Sequence, residues 1–271
     1  MAFSDEPISC EAAMSDICRV YELEGVQRVT GETIRPGGLA LTQRALALAD
    51  LPAGARALDV GCGAGATVAY LAESGLRAVG LDPSAKLLRQ RDNLSPQLAF
   101  SQGRGENLPF AAGQFDALSA ECCLSLMDDV AGALAEFARV LRPGGTLLLS
   151  DMLAGNPAGL TAARRLPLSC CVTRAFSRAQ IASLLADAGF AITFWEDNSE
   201  ALKQLTVQII WEYGSLANFW RCSGEDGAEV GTAVAALKPG YFLLLGRKRD
   251  TKLHGEDTEH AGTAIRNTSS A

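Results

Sequence analysis

Two carboxylates and a run of glycines carry the clearest chemistry in this chain. Leu58-Asp59-Val60-Gly61-Cys62-Gly63-Ala64-Gly65 sets glycines at alternate positions, and Asp82 follows 17 residues past Gly65. Small residues at a strand-to-helix turn let backbone N–H groups approach a ligand closely. A carboxylate ending the next strand can accept both hydroxyl hydrogens of a ribose. A lone G-x-G is often only a tight turn. G-x-G-x-G with a strand before it and a helix after it is more specific. The nicotinamide fingerprint puts its third small residue at position 66, which is Ala here, so spacing alone leaves a nicotinamide dinucleotide open. Asp59, two residues before the first glycine, suits a ligand with an ammonium group better than a pyrophosphate.

The nucleophile and metal repertoire is narrower. Eight cysteines are present, Cys10, Cys18, Cys62, Cys122, Cys123, Cys170, Cys171 and Cys222, and two of the pairs are adjacent. None has C-x-x-C spacing, so a zinc ribbon or thioredoxin-type motif is unsupported and no metal site is expected. The only histidines are His254 and His260, in a polar tail. The folded body therefore offers no imidazole for a Ser-His-Asp or Cys-His mechanism. Residues 1–10 carry Asp5 and Glu6 and no apolar core of an export signal, so a cytoplasmic protein with reduced thiols is expected. A net charge of −7 disfavours a nucleic-acid partner. No run approaches 18 apolar residues, so no membrane span is expected.

These residues need a frame, and 271 residues with 48% hydrophobic content suffice for one large α/β domain. Residues 38–50 read as an amphipathic helix. Residues 56–60, 77–81, 98–101, 115–120 and 146–150 read as strands. Helices are expected after the glycine turn through 74, from 85, and over 128–141, with 142–145 as a tight turn. The β-α-β-α alternation predicts a Rossmann-like, doubly wound, seven-stranded sheet, mostly parallel, with helices on both faces. A helix over 178–188, a strand over 191–195, one long helix over 199–221 and a strand over 241–245 complete it. Pairing of the last two strands places an antiparallel edge on the sheet. Residues 1–35 read as a cap, 36–249 as the domain, and 250–271 as a disordered tail.

The chain resembles the class I S-adenosylmethionine (SAM) dependent methyltransferases of the type 11 kind. The match covers residues 36–150 through LDVGCGAG at 58–65, VGLDPS at 79–84, GENLPF at 105–110, QFDALSA at 114–120 and FARVLRPGGTLLLSD at 137–151. The resemblance implies SAM as cofactor. Gly61, Gly63 and Gly65, with Cys62 between them, would line its methionine part, with Asp59 near the ammonium. Asp82 would hold the ribose hydroxyls and Pro83 the adenine edge. Gly105 and Glu106 match the segment beside the adenine, though Arg104 stands where that segment often carries Asp. Glu121 would lie near the reactive centre.

The acceptor is less determined. Methyl transfer from a sulfonium needs donor and acceptor held close and aligned. A hard nucleophile such as an alcohol usually needs a base, whereas a thiolate or a trivalent metalloid needs none. Two short stretches, Glu121 to Leu126 and Cys171 to Phe176, resemble segments of the arsenite methyltransferases. That resemblance implies Cys122 and Cys171 as metalloid ligands, with Cys10, Cys18 or Cys222 as a third. As an alternative, these cysteines simply pack. The acceptor is then an ordinary small metabolite methylated at oxygen, nitrogen or carbon, with Glu121 or Tyr21 as the polar group. A SAM- or metalloid-binding partner without catalysis is the third reading. Tyr21 and Arg35 of the cap could reach the ligand, and the aromatics of 195–222 could line a pocket. A monomer or homodimer is expected.

Overall fold

The computed structural model describes residues 21–22, 24–90, 94–221 and 226–250. Cys10, Cys18, Cys222, both histidines, most of the cap's first 23 residues and the tail from 251 lie outside the described residues. The elements run α1 (Glu24–Thr30), α2 (Gly38–Ala49), β1 (Arg56–Val60), α3 (Ala66–Glu73), β2 (Arg77–Asp82), α4 (Ala85–Arg89), β3 (Ala99–Gln102), β4 (Phe115–Glu121), α5 (Val130–Val140), β5 (Leu141–Ala154), α6 (Leu160–Ala163), α7 (Arg178–Asp187), β6 (Phe190–Asp197), α8 (Ser199–Tyr213), α9 (Leu216–Arg221), α10 (Gly227–Ala236) and β7 (Pro239–Lys248).

The strands form one seven-stranded sheet in the order β3-β2-β1-β4-β5-β7-β6. Strands β1 to β5 pair in parallel. β7 runs antiparallel to both β5 and β6. The last two strands thus make the antiparallel edge, with β7 inserted inside and β6 outermost. Period-two alternation splits the apolar side chains between two faces. Leu147, Leu149 and Leu244 pack on one side with Leu134 and Phe137 of α5 and Ile181 and Leu185 of α7. Leu148, Leu243 and Leu245 pack on the other with Ala45 and Ala49 of α2. The chain leaves β1 toward β2 on one side and reaches β4 on the other. The loops at the carboxyl ends of β1 and β4 therefore diverge, and a crevice opens between them.

Several elements differ from expectation, the short helices α1 and α6 among them. The helix over 199–221 is broken, because Gly214 takes φ +74° at the end of α8 and the chain restarts as α9. β5 begins at Leu141 rather than 146 and absorbs the Arg142-Pro143-Gly144-Gly145 turn, with a register shift against β4 between Phe115 and Ala117. Helix α10 was not anticipated; two glycines dilute its apolar pattern, and it starts on Asp226, whose side chain accepts from the Ala228 N–H at 2.8 Å.

Candidate functional site

The cleft lies at the carboxyl ends of β1, β2 and β4. It holds about 1040 Å³ of empty space, its open mouth included, and its walls include Asp59, Gly61, Cys62, Gly63, Asp82, Pro83, Gly105, Glu106, Glu121, Cys122 and Cys123. All but two of the site residues expected from the sequence therefore converge here.

The glycine turn is built for close approach. Gly61 has φ +74° and Gly63 φ +54°, the left-handed region that side chains disfavour. A Cβ on Gly61 would lie 2.6 Å from Cys123 Cβ, whereas one on Gly63 would meet nothing within 4 Å. Gly63 thus keeps space open toward the cleft, and Gly61 lets β4's loop pack against the turn. Gly65 does not line the cleft. Its missing side chain makes room for Phe100 and Leu94, so its role here is packing of the turn. Cys62 packs in a small cluster with Val68 and Leu88, and burial pushes its thiol far above the ordinary range.

Three carboxylates meet one guanidinium in this space. Asp59 is buried and accepts from the Ser119 hydroxyl at 2.6 Å. Its burial, with the Glu121 charge behind it, pushes its pKa up to about 7. Asp82, 6% exposed, takes the Gly63 N–H on one oxygen and the Ser84 N–H on the other, each at 2.8 Å. Each oxygen keeps lone-pair capacity toward the cleft. Burial also raises Asp82. Glu121 is fixed from three elements. Arg35 Nη2 approaches it at 2.9 Å, with both side chains about 95% buried. Thr42 of α2 donates to it at 3.0 Å and Thr67 of α3 at 3.0 Å. Arg35 Nε is buried without a hydrogen-bond partner.

On the far wall, Glu106 accepts from the Asp128 N–H at 2.9 Å and pairs with Arg104 at 3.3 Å. Arg104 also pairs with Asp128, so the side chain at 104 is drawn into a surface ion cluster. Gly105 leaves room for Met127, whose Cε would sit 2.5 Å from a Cβ there. The Pro83 carbonyl accepts from Gln102 at 3.0 Å. Tyr21, Ile34, Leu126 and Met127 add largely apolar surface to the cleft's lining.

Cys171 does not line the cleft, but its thiol interacts directly with that of Cys122, a contact that together with burial raises Cys122 well above the ordinary thiol range. Tyr21 accepts from the Cys171 N–H at 3.0 Å, and burial beside the thiols holds its phenol protonated. Cys170 faces Thr173 and is pushed up to about 11, chiefly by burial. Cys123 lies 3.0 Å from the Val60 carbonyl. Among the described residues, no group of three His, Cys, Asp or Glu side chains is placed to hold a metal ion. No helix of the described residues is long and apolar enough to cross a membrane.

Sequence reasoning missed the threonines. Thr42 and Thr67 sit on apolar helix faces, where a hydroxyl reads as filler. It also missed Asp151, fully buried and raised to about 6 by that burial. Asp151 accepts from the Ser125 N–H at 2.9 Å and the Ser125 hydroxyl at 2.7 Å, and so fixes the turn that carries Leu126. The aromatics of 195–222 do not line the cleft: Trp195 stacks on Phe242 at 4.7 Å between ring centres, and Trp211 is 89% exposed.

Three buried carboxylates against one buried arginine, with Arg104 of the wall already paired to Glu106 and Asp128, leave the cleft short of positive charge. A buried anion without a partner is costly, and the raised Asp59 records that cost. The donor set therefore fits a cationic nucleoside, with ribose hydroxyls for Asp82 and an ammonium for Asp59. SAM, with its ammonium and sulfonium, meets that requirement, whereas a pyrophosphate would meet three carboxylates.

Residues 58–149 match the family model described as a methyltransferase domain. The chain is 33% identical over 148 residues to a demethylmenaquinone methyltransferase from Beutenbergia cavernae, covering 54% of this chain and 59% of that one. It thus spans little more than half the length of that curated relative. It is 28% identical over 229 residues to the O-methyltransferase resE from Aspergillus sclerotiorum, covering 79% and 83%. Among solved structures, the [4+2]-cyclase SpnF is similar with a TM-score of 0.62 and 28% identity, covering 78% of this chain and 80% of that one.

Proposed function

We propose that this chain is a class I SAM-dependent methyltransferase that methylates an acidic oxygen, a phenol or enol, of a small organic molecule. The observation that carries the acceptor class is that, among the described residues, no carboxylate or phenol lining the cleft is free to act as a base. Asp59 is tied to Ser119, Asp82 to two backbone N–H groups, Glu106 to Arg104 and the Asp128 N–H, and Glu121 to Arg35 and two threonines. The Tyr21 phenol is held protonated. An acceptor that ionises by itself needs no base. The match to an O-methyltransferase over most of both chains supports oxygen.

When bound, SAM supplies a methyl group on a sulfonium, open to in-line displacement. In this reading Asp59 holds the ammonium and Asp82 the ribose. Backbone at Gly61 and Gly63 approaches the methionine part. Pro83 and the Gly105–Glu106 backbone edge the adenine. Tyr21, Leu126 and Met127 exclude water and press the acceptor toward the methyl, a proximity effect. Arg35 and the threonines keep Glu121 in place, so the negative field on the donor side is fixed before the ligands arrive.

The test is methyl transfer from SAM to a panel of phenols, enols, aliphatic alcohols, thiols and arsenite, followed by mass spectrometry. Transfer to phenols or enols that rises as the acceptor ionises is expected. Transfer to aliphatic alcohols alone would refute the reading. A second reading, a thiophilic acceptor such as trivalent arsenic, is favoured by the contact between Cys122 and Cys171. It requires arsenite binding that Cys122→Ser and Cys171→Ser abolish. Tight SAM binding with no transfer to any class would retire both; a solved neighbour is a [4+2]-cyclase, so this fold also serves other chemistry.

A further inference from the structure

Two loops far apart in the sequence bring four thiols near one another, of which Cys122 and Cys123 line the cleft. Cys122 and Cys123 follow β4, and Cys170 and Cys171 lie in the turns before α7. Cys123 is engaged by the Val60 carbonyl and Cys170 by Thr173. Cys122 and Cys171 face each other and pack in one cluster. The Cys122 backbone is set for this: it takes φ +58°, which a non-glycine residue disfavours, and its N–H is anchored to the Ser150 carbonyl at 2.7 Å. Cys122 borders the cleft and Cys171 is half-buried. The backbone of Cys171 in turn carries the hydrogen bond to Tyr21.

We propose that Cys122 and Cys171 are a redox-modification site, a reversible disulfide that ties the loop after β4 to the segment before α7 and releases Tyr21 from the Cys171 backbone. The oxidant class is a peroxide. Cys171, as thiolate, attacks one oxygen of hydrogen peroxide; the O–O bond breaks, the sulfur becomes a sulfenic acid, and hydroxide leaves and takes a proton as water. Cys122 gives up its proton and attacks the Cys171 sulfur. The S–S bond forms and the sulfenic hydroxyl leaves as a second water. In sum, two thiols and one peroxide give one disulfide and two waters. A dithiol reverses the bond by exchange. Cys122 is the more deeply buried of the two, which assigns it the second, resolving step.

The bond draws the sulfurs to about 2.05 Å, closer than any thiol contact. Residue 171 must move toward β4, and its N–H is pulled from Tyr21. Tyr21 lines the cleft, and its neighbour Glu22 accepts from the Ser84 hydroxyl beside Asp82. Oxidation therefore frees one anchor of the wall over the cofactor. This consequence rests on the SAM reading, whereas the disulfide does not.

The experiment treats the reduced full chain with hydrogen peroxide, blocks remaining thiols, and maps peptides without reduction. A chain lighter by two hydrogens is expected, with the tryptic peptide containing Cys122 and Cys123 joined to the one containing Cys170 and Cys171. The cross-link should vanish in Cys122→Ser and in Cys171→Ser and persist in Cys123→Ser and Cys170→Ser. No such cross-link, or one that survives in Cys171→Ser, overturns the site. Calorimetry should then show SAM binding about fivefold weaker after oxidation, what one lost hydrogen bond is worth, and restored by dithiothreitol. Unchanged affinity in cross-linked protein overturns the part assigned to Tyr21. Reduced protein that binds no SAM would sink the cofactor reading and leave the cross-link result standing.

Discussion

If Asp59 holds the SAM ammonium as proposed, binding depends on pH in a way that can be worked out in advance. Its carboxyl is buried 3 Å or less from Ser119 and repelled by Glu121, and its pKa stands at about 7. If it must be ionised to hold the ammonium, the apparent dissociation constant scales as one plus the ratio of protonated to ionised Asp59. That factor is about 2 at pH 7.0 and about 33 at pH 5.5, so SAM should bind roughly 15-fold more weakly at pH 5.5. The ligand's own amino group, with a pKa near 8, stays almost fully protonated over this range and contributes little. The raised Asp82 acts in the same direction. Calorimetry in two buffers of different ionisation enthalpy should show release of about half a proton on binding at pH 7.0. In Asp59→Asn the affinity should fall about tenfold or more at pH 7, the worth of a charge-assisted hydrogen bond, and most of the pH dependence should disappear. A flat profile in the unmodified protein, or one equally steep in Asp59→Asn, would show that Asp59 does not hold the cation.

The same residue predicts a stability effect of opposite sign. Its folded pKa lies above the unfolded value of 3.8, so the free fold loses stability as pH rises from about 4 to 7, and Asp59→Asn should raise Tm at pH 8 in the absence of SAM while leaving it little changed at pH 4. Arg35→Met strands the Glu121 carboxylate and should cost about 3–5 kcal/mol in urea unfolding, and adding Glu121→Gln should recover part of that loss; strict additivity would mean the pair is not coupled. Gly63→Ala puts a methyl into open space and should cost about 1–2 kcal/mol for its left-handed backbone yet impair SAM binding, whereas Gly61→Ala must also displace Cys123 and should unfold more readily. Equal Tm values for the two glycine variants would contradict the packing difference.

The legible parts of the sequence are those where chemistry and local geometry coincide. The glycine turn needs its residues for the same backbone reasons that let a ligand approach, so spacing located Asp59, Gly61, Gly63 and Asp82 together. The five parallel strands could be read because strands buried on both faces are short continuous apolar runs. What could not be read depends on long-range placement. Thr42 and Thr67 stand 79 and 54 residues from Glu121 in sequence, and nothing local marks their hydroxyls as ion-pair partners. Asp151 follows an apolar strand and reads as its polar end, although the fold buries it completely. Gly65 sits in the same motif as Gly61 and Gly63 but faces the opposite way, because each step of a turn reorients the residue and spacing does not record the direction.

The two ends of the cleft follow different physical rules. On the donor side, binding is an electrostatic completion. Asp59, Asp82 and Glu121 oppose Arg35, while Arg104 of the cleft wall is taken up by Glu106 and Asp128, so a cationic ligand offsets uncompensated negative charge and much of the affinity should reside in charge. On the acceptor side, Tyr21, Ile34, Leu126 and Met127 offer area and shape, and among the described residues no free carboxylate base lines the cleft beside them. A substitution on the donor side should therefore change SAM affinity and its dependence on pH. One on the apolar wall, such as Leu126→Ala, should leave the pH profile in place and change only acceptor binding and rate. Loss of the pH dependence in Leu126→Ala would mean that the two ends are electrostatically coupled, and that acceptor selection cannot be separated from the cation site.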